Sequence, residues 1–142
     1  MKTYNIKTYR NGFETKNPHF YILNKGMNSG KPLEMPCANC FSLSCNSEAD
    51  KEFYFWLLFG VWRTKAFHPF LRGTVIPFIT LTNLKKCIQT GSEQANQDLE
   101  KYQKNIKALK FLDLKEKQFH QNLQLIEETR RMIFYKYRRR QF

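Results

Sequence analysis

A chain of 142 residues with 24 Lys and Arg against 12 Asp and Glu carries a net charge of +12 and a pI near 9.7. That length makes about one domain, and the charge directs attention to polyanionic partners, nucleic acid first, with plain solubility as the alternative. The chain has no apolar run long enough to span a bilayer, and its opening MKTYNIKTYRNG lacks the apolar core of a secretory signal, so cytoplasmic residence with reduced cysteines is expected.

Residues 2–10, KTYNIKTYR, alternate so that Tyr4, Ile6 and Thr8 share a face, and Asn11-Gly12 follows as a turn signal; the pattern predicts a strand and a turn. After Pro18, the short run His19-Phe20-Tyr21-Ile22-Leu23 has the length and composition of a buried strand. It breaks at the loop NKGMNSGKP over 24–32, where Gly26 and Gly30 permit positive φ and Lys25 and Lys31 place charge at either end. The loop is not a Walker A motif: three residues rather than four separate the glycines, and Pro32 stands where Ser or Thr is needed. Contact with a phosphate or base edge is one reading of this loop, and a structural hairpin is the other.

Cys37 and Cys40 form a CxxC, and Cys45 follows. Zinc would need a fourth ligand from Cys87 or a histidine such as His19 or His68, so the pattern is incomplete. The period-two segment Phe41-Ser42-Leu43-Ser44-Cys45 fits a strand with packing cysteines better. A redox pair is a remaining alternative. No metal and no cofactor is assigned, and the zinc alternative rests on Cys37, Cys40, Cys45 and Cys87.

Asn46-Ser47-Glu48-Ala49-Asp50 has the composition of a helix start, with Ser47 or Asn46 as cap and carboxylates in the first turn. The spacing predicts a helix over 47–65 whose rings, Phe53, Phe55, Trp56, Phe59 and Trp62, occupy nearly every face. Gly60 inside it predicts close approach of a neighbour, since glycine there costs about 1 kcal/mol. Arg63, Lys65, His68 and Arg72 then alternate with Phe67, Phe70 and Leu71, a composition suited to gripping phosphate. His68 has no nearby carboxylate in sequence, so no catalytic residue is assigned. Gly73 permits a turn, and residues 74–79 read as an edge strand bent by Pro77.

A short helix is expected to end at Gly91. From 98 to about 139 the chain has no Gly or Pro, which predicts one long helix. Its apolar positions Leu99, Tyr102, Ile106, Leu109, Leu112, Phe119, Leu123, Ile126, Ile133 and Tyr137 fall three and four apart once Glu116 and Arg130 are counted as polar members of the stripe, the pattern of a coiled-coil seam. Such a stripe needs a second long helix, most simply from another copy of the chain. Lys136, Arg138, Arg139 and Arg140 form a basic end that either docks phosphate or complements the helix dipole. The expected organisation is a globular α+β head over 1–91 and a long helix with a basic tail over 92–142.

The order of these elements resembles one target-recognition half of the specificity subunit of type I restriction-modification enzymes. The likeness is carried by Tyr21-Ile22-Leu23-Asn24-Lys25-Gly26 with Gly30-Lys31, by Phe53-Tyr54-Phe55-Trp56-Leu57-Leu58, by Lys65-Ala66-Phe67, by Gly73-Thr74-Val75-Ile76-Pro77, by Asn83-Leu84-Lys85-Lys86, and by the long helix from Leu99 to Tyr137. It covers most of the chain through short motifs, and Cys87-Ile88-Gln89-Thr90-Gly91 stands where that family has a Pro-Leu-Pro-rich segment. The chain is also similar to a small uncharacterised family carried on mobile elements of gut bacteria, which brings no activity with it. The first resemblance implies a head with a small twisted sheet and an aromatic helix, followed by a coiled-coil-type helix.

The resulting expectation is a non-enzymatic, homodimeric protein that binds duplex DNA. Lys25, Asn28, Ser29, Lys31, Arg63, Lys65, His68 and Arg72 are its candidate contacts. Asn28 and Ser29 are the base readers, because amide and hydroxyl groups bond base edges. The alternative is a protein-interaction module that imitates half a specificity subunit and occupies a restriction-modification partner, as an antirestriction or regulatory factor.

Overall fold

The computed structural model describes residues 3–141, with side chains through residue 138. Its strands are β1 (Tyr4–Thr8), β2 (His19–Leu23), β3 (Pro32–Leu33) and β4 (Cys40–Cys45), and its helices are α1 (Glu48–Arg63), α2 (Leu81–Gln97) and α3 (Leu99–Gln141). The fold class is α+β, as expected, with a long C-terminal helix. Two compact units divide the chain, Met1–Tyr102 and Gln103–Phe142. Lys2, which the sequence pattern includes in the first strand, lies outside the described residues.

The sheet is antiparallel in the order β1-β4-β2-β3. Register explains its two faces. Leu43 of β4 stands opposite both Ile6 and Phe20, and Phe41 stands opposite both Thr8 and Ile22; residues directly opposite point to the same side. Ile6, Phe20, Ile22, Phe41, Leu43 and Cys45 therefore form the buried face. On the other face the Tyr21 ring meets Tyr9 and His19 edge-on, each at 5.5 Å.

Ser47 caps α1, its Oγ accepting from the Asp50 amide at 3.2 Å, with Glu48 and Asp50 in the positively polarised first turn. Phe53, Tyr54, Leu57 and Leu58 enter the core, and full burial of each such side chain contributes about 1.5–3 kcal/mol. Rings pack edge-on throughout: Tyr4 on Tyr54 at 5.0 Å, Phe20 on Phe55 at 5.3 Å, and Phe53 on Tyr102 at 4.9 Å. Phe55, Trp56, Phe59 and Trp62 continue as a ladder along α1. This arrangement uses the ring quadrupole and adds to area burial.

Three expectations are corrected. The second helix does not stop at Gly91 but continues to Gln97. Gly91, not Gly60, is the close approach: a Cβ at 91 would stand 3.1 Å from a Leu57 methyl, whereas one at 60 would meet nothing within 4 Å. Glycine at 91 lets α2 lie against α1, so the residue is a contact surface rather than a helix stop. Residues 74–79 do not form a strand. Arg72 and Phe78 exchange both backbone bonds, at 2.9 and 2.8 Å, and close a tight loop over 73–77. Thr74, Val75 and Ile76 at its tip are exposed, and Pro77 has no N–H to extend a ladder.

Asp98 separates α2 from α3 and caps the latter, its Oδ1 accepting from the Lys101 amide at 3.1 Å. Tyr102 is not a free seam position: its Oη donates to the Phe53 carbonyl at 2.9 Å, so the first turn of α3 is fastened to α1. Ile106 is buried within the single chain and Leu109 half-buried. Leu99, Leu112, Phe119, Leu123, Ile126, Ile133 and Tyr137 are exposed, as are Phe111, Leu114, Leu125, Met132, Phe134 and Tyr135 beside the expected stripe. Pairs such as Asp113 with Lys117 (3.1 Å) and Glu127 with Arg131 (3.5 Å) lie along the same helix. Arg139 and Arg140 of the expected basic end lie outside the described side chains.

Two predictions follow from this packing. Gly60→Ala is expected to raise the unfolding free energy by about 0.5–1 kcal/mol, because the methyl has room and the helix interior gains rigidity; the midpoint of urea denaturation measures it. Burial pushes the Cys45 thiol from 9.0 up to about 11 and the Tyr54 phenol from 10.0 up to about 12. Well below pH 9 both groups are protonated whether the chain is folded or not. As pH rises from 9 towards 12 the unfolded chain releases protons that the fold retains, so stability falls. The decline between pH 10 and 12 should be shallower in Tyr54→Phe.

Candidate nucleic-acid interface

The loop that joins β2 to β3 is built by its own backbone. Gly30 N donates to Leu23 O at 2.7 Å, Leu23 N to Lys31 O at 3.0 Å, and Lys31 N to Asn28 O at 3.0 Å. Gly26 and Gly30 are both left-handed, at φ 94° and 96°. Gly30 carries a second constraint: a Cβ there would fall inside the ring of Phe67, a side chain only 1% exposed. The loop therefore lies flat on Phe67.

Phe67 is delivered by the end of α1. Lys65 N donates to Trp62 O and Ala66 N to Val61 O, each at 3.0 Å, the paired bonds of a Schellman turn. That turn needs a left-handed residue, and the position is held by Lys65 at φ 59°. The left-handed conformation costs an L residue roughly 1–2 kcal/mol, and glycine is the usual solution. Here a charged residue stands where backbone physics favours glycine.

Beyond the turn, the connector comes back to the loop. Gly26 N donates to Pro77 O at 2.7 Å, and Ile79 N to Asn24 O at 3.1 Å. Phe78 forms bridges with both Lys25 and Arg72. Three residues in register across a ladder project to one side, so Lys25 and Arg72 flank Phe78, roughly 10 Å apart at ordinary strand spacing. A second cluster forms on Trp62. Lys31 Nζ lies 4.9 Å and Arg63 Cζ 5.4 Å from its ring centroid, and its Nε1 donates to Asn28 Oδ1 at 3.3 Å. The electron-rich ring face attracts both cations and offsets part of their mutual repulsion.

The loop and connector thus bring together Lys25, Asn28, Lys31, Arg63 and Arg72, while Lys65 and His68 sit exposed on the turn between them. Ser29 does not belong with them. It is 1% exposed, and its Oγ donates to Gly26 O at 2.6 Å, so its hydroxyl holds the loop shut and cannot read a base. Asn28 is exposed, with its amide oxygen engaged by Trp62. Phe67 was expected among the rings that alternate with the basic residues, but sequence reasoning missed Trp62 and Phe78 as supports for the cations, having read Trp62 as one face of the aromatic helix and Phe78 as part of an edge strand; the direct adjacency of Trp62 and Arg63 was the available signal.

The zinc alternative finds no ligand set. Cys40 Sγ donates to Cys37 O at 3.1 Å, and Cys45 lies at the far end of β4 in the core. Among the described residues no three His, Cys, Asp or Glu side chains gather as a metal site requires. Nor is any helix among them long and apolar enough to cross a membrane.

A model described as a family of unknown function, DUF6943, matches residues 6–136. The chain belongs to that family. Comparison with curated proteins and with solved structures gives no match. The DUF6943 span takes in the loop, the connector and most of α3. Its description carries no activity.

The strained turn yields a test. Lys65→Gly should raise the unfolding free energy by about 1 kcal/mol by relieving the left-handed lysine, read as a higher denaturation midpoint. A lower midpoint would show that the Lys65 side chain is needed for the fold itself.

Proposed function

We propose that this protein is a non-enzymatic, homodimeric duplex-DNA-binding protein, similar in organisation to half a restriction-modification specificity subunit. The observation that supports it is the meeting of the loop over 24–31 with the connector over 63–78, which sets Lys25, Lys31, Arg63 and Arg72 around two rings. Cations on a backbone frame neutralise phosphates and release counterions, and rings on the same frame keep the donors in place. Lys65 and His68 add to this end, and the NH2 of the exposed Asn28, whose amide oxygen is engaged by Trp62, is the group suited to a base-edge acceptor. The net charge of +12 gives the encounter its long-range attraction.

The dimer part of the proposal draws on α3. Leu112, Phe119, Leu123, Ile126 and Ile133 are exposed along one helix, and an apolar stripe of that length is removed from water by a second helix. Two heads joined this way would recognise a site in two spaced halves. The same stripe also favours the second reading, in which α3 docks on a restriction-modification partner in place of another copy. That reading expects a stable protein partner and weak DNA affinity.

Light scattering on the full chain should give twice 17.1 kDa. Anisotropy with a labelled duplex should show affinity falling steeply between 50 and 200 mM salt, with a log–log slope reduced by about 2 in a Lys25→Ala, Arg72→Ala double variant. Lys65→Gly should bind more weakly while unfolding later. A folded dimer that ignores duplex DNA at 50 mM salt would sink the proposal.

A further inference from the structure

The loop tip between Arg72 and Phe78 is the most exposed apolar point of the head. Val75 is 89% exposed and Ile76 60%, although branched apolar side chains are ordinarily among the most buried. The tip is firmly framed. Arg72 and Phe78 close it with reciprocal backbone bonds, and Gly26 and Asn24 tie its base to the loop over 24–31. Gly73 is left-handed at φ 99°, and a Cβ there would stand 2.5 Å from the Ile76 carbonyl oxygen, so the turn admits glycine alone. Lys25 and Arg72 flank the base of this tip through their shared register with Phe78.

We propose that the Val75–Ile76 tip is an apolar wedge that enters the minor groove of duplex DNA and parts one base step, while Lys25 and Arg72 hold the neighbouring phosphates. The proposal rests on the DNA-binding reading above. Its physical logic is that β-branched side chains are stiff and lose little rotamer freedom on insertion. Burying two of them recovers free energy of the same order as the unstacking of a single step. The balance is therefore met where unstacking is easiest, at the flexible pyrimidine–purine steps, and the wedge would favour those steps without a hydrogen bond to any base. A lipid surface fits the tip less well: two side chains bury far less than one acyl chain, which by itself anchors only marginally.

The test uses the full chain and a duplex of about 30 base pairs carrying 2-aminopurine beside a central TA step. Binding is read by anisotropy, and unstacking by 2-aminopurine emission. Wild type should bind and raise that emission several-fold. A Val75→Ser, Ile76→Ser double variant should bind roughly tenfold more weakly, keep the same salt slope, and lose the rise in emission. Both positions are exposed, so an unchanged denaturation midpoint certifies the fold of the variant. A Val75→Trp variant offers a second readout, since an indole inserted between bases is quenched. Wild-type binding without increased emission overturns the wedge and leaves the DNA reading intact. Absence of any duplex binding by wild type removes both. Capture of wild type but not the serine variant by phosphatidylserine vesicles, with equal DNA affinity for the two, also overturns the wedge.

Discussion

The basic end of the head depends on one contact: the Phe67 ring occupies the space that any side chain at position 30 would need. This single overlap requires glycine in the loop, fixes how far the loop stands from α1, and places Lys31 over Trp62. It also explains why the connector can bond to the loop backbone at Gly26 and Asn24, since both segments are levelled on the same buried ring. Two backbone bonds, Gly26 to Pro77 and Ile79 to Asn24, then hold the cations of the two segments together against their charge repulsion.

That contact sits beside the most strained backbone of the head. The Schellman turn at Lys65 is what swings Phe67 inward, and the left-handed lysine stores free energy that a glycine would release. Local strain of this kind persists only where the surroundings over-determine the conformation. Here α1 supplies that constraint through its ladder of rings, so the aromatic excess of the helix has a purpose beyond core volume. It makes a stiff post whose end can hold an unfavourable turn.

Much of this was legible in the sequence. Period-two alternation located β1 and β4, the short apolar run located β2, and the Ser47 cap with its acidic first turn located α1. What failed depended on neighbours that no local pattern encodes. Gly60 and Gly91 look alike on their helices, and only the position of Leu57 distinguishes them. Ser29 looks like an exposed polar residue until the turn from Gly26 carries its hydroxyl inward. Tyr102 fits the heptad spacing, yet its hydroxyl is spent on Phe53. The candidate cations were individually readable as a charged run between rings. Their convergence was not, because it arises from backbone pairing between segments some fifty residues apart.

The strand order carries a consequence for how the chain is made. β2 and β3 form a local hairpin and can pair as soon as they leave the ribosome, but β1, which precedes them in the chain, has β4 as its neighbour in the sheet. It must therefore wait, solvated and unpaired, while residues up to Cys45 are translated. β4 then slots between β1 and β2, both already present, and joins the first strand to the hairpin. Synthesis at about 5–20 residues per second makes that wait seconds long, against microseconds for closing a hairpin. The polar outward positions of β1, Asn5 and Lys7, keep the waiting strand soluble until its partner emerges.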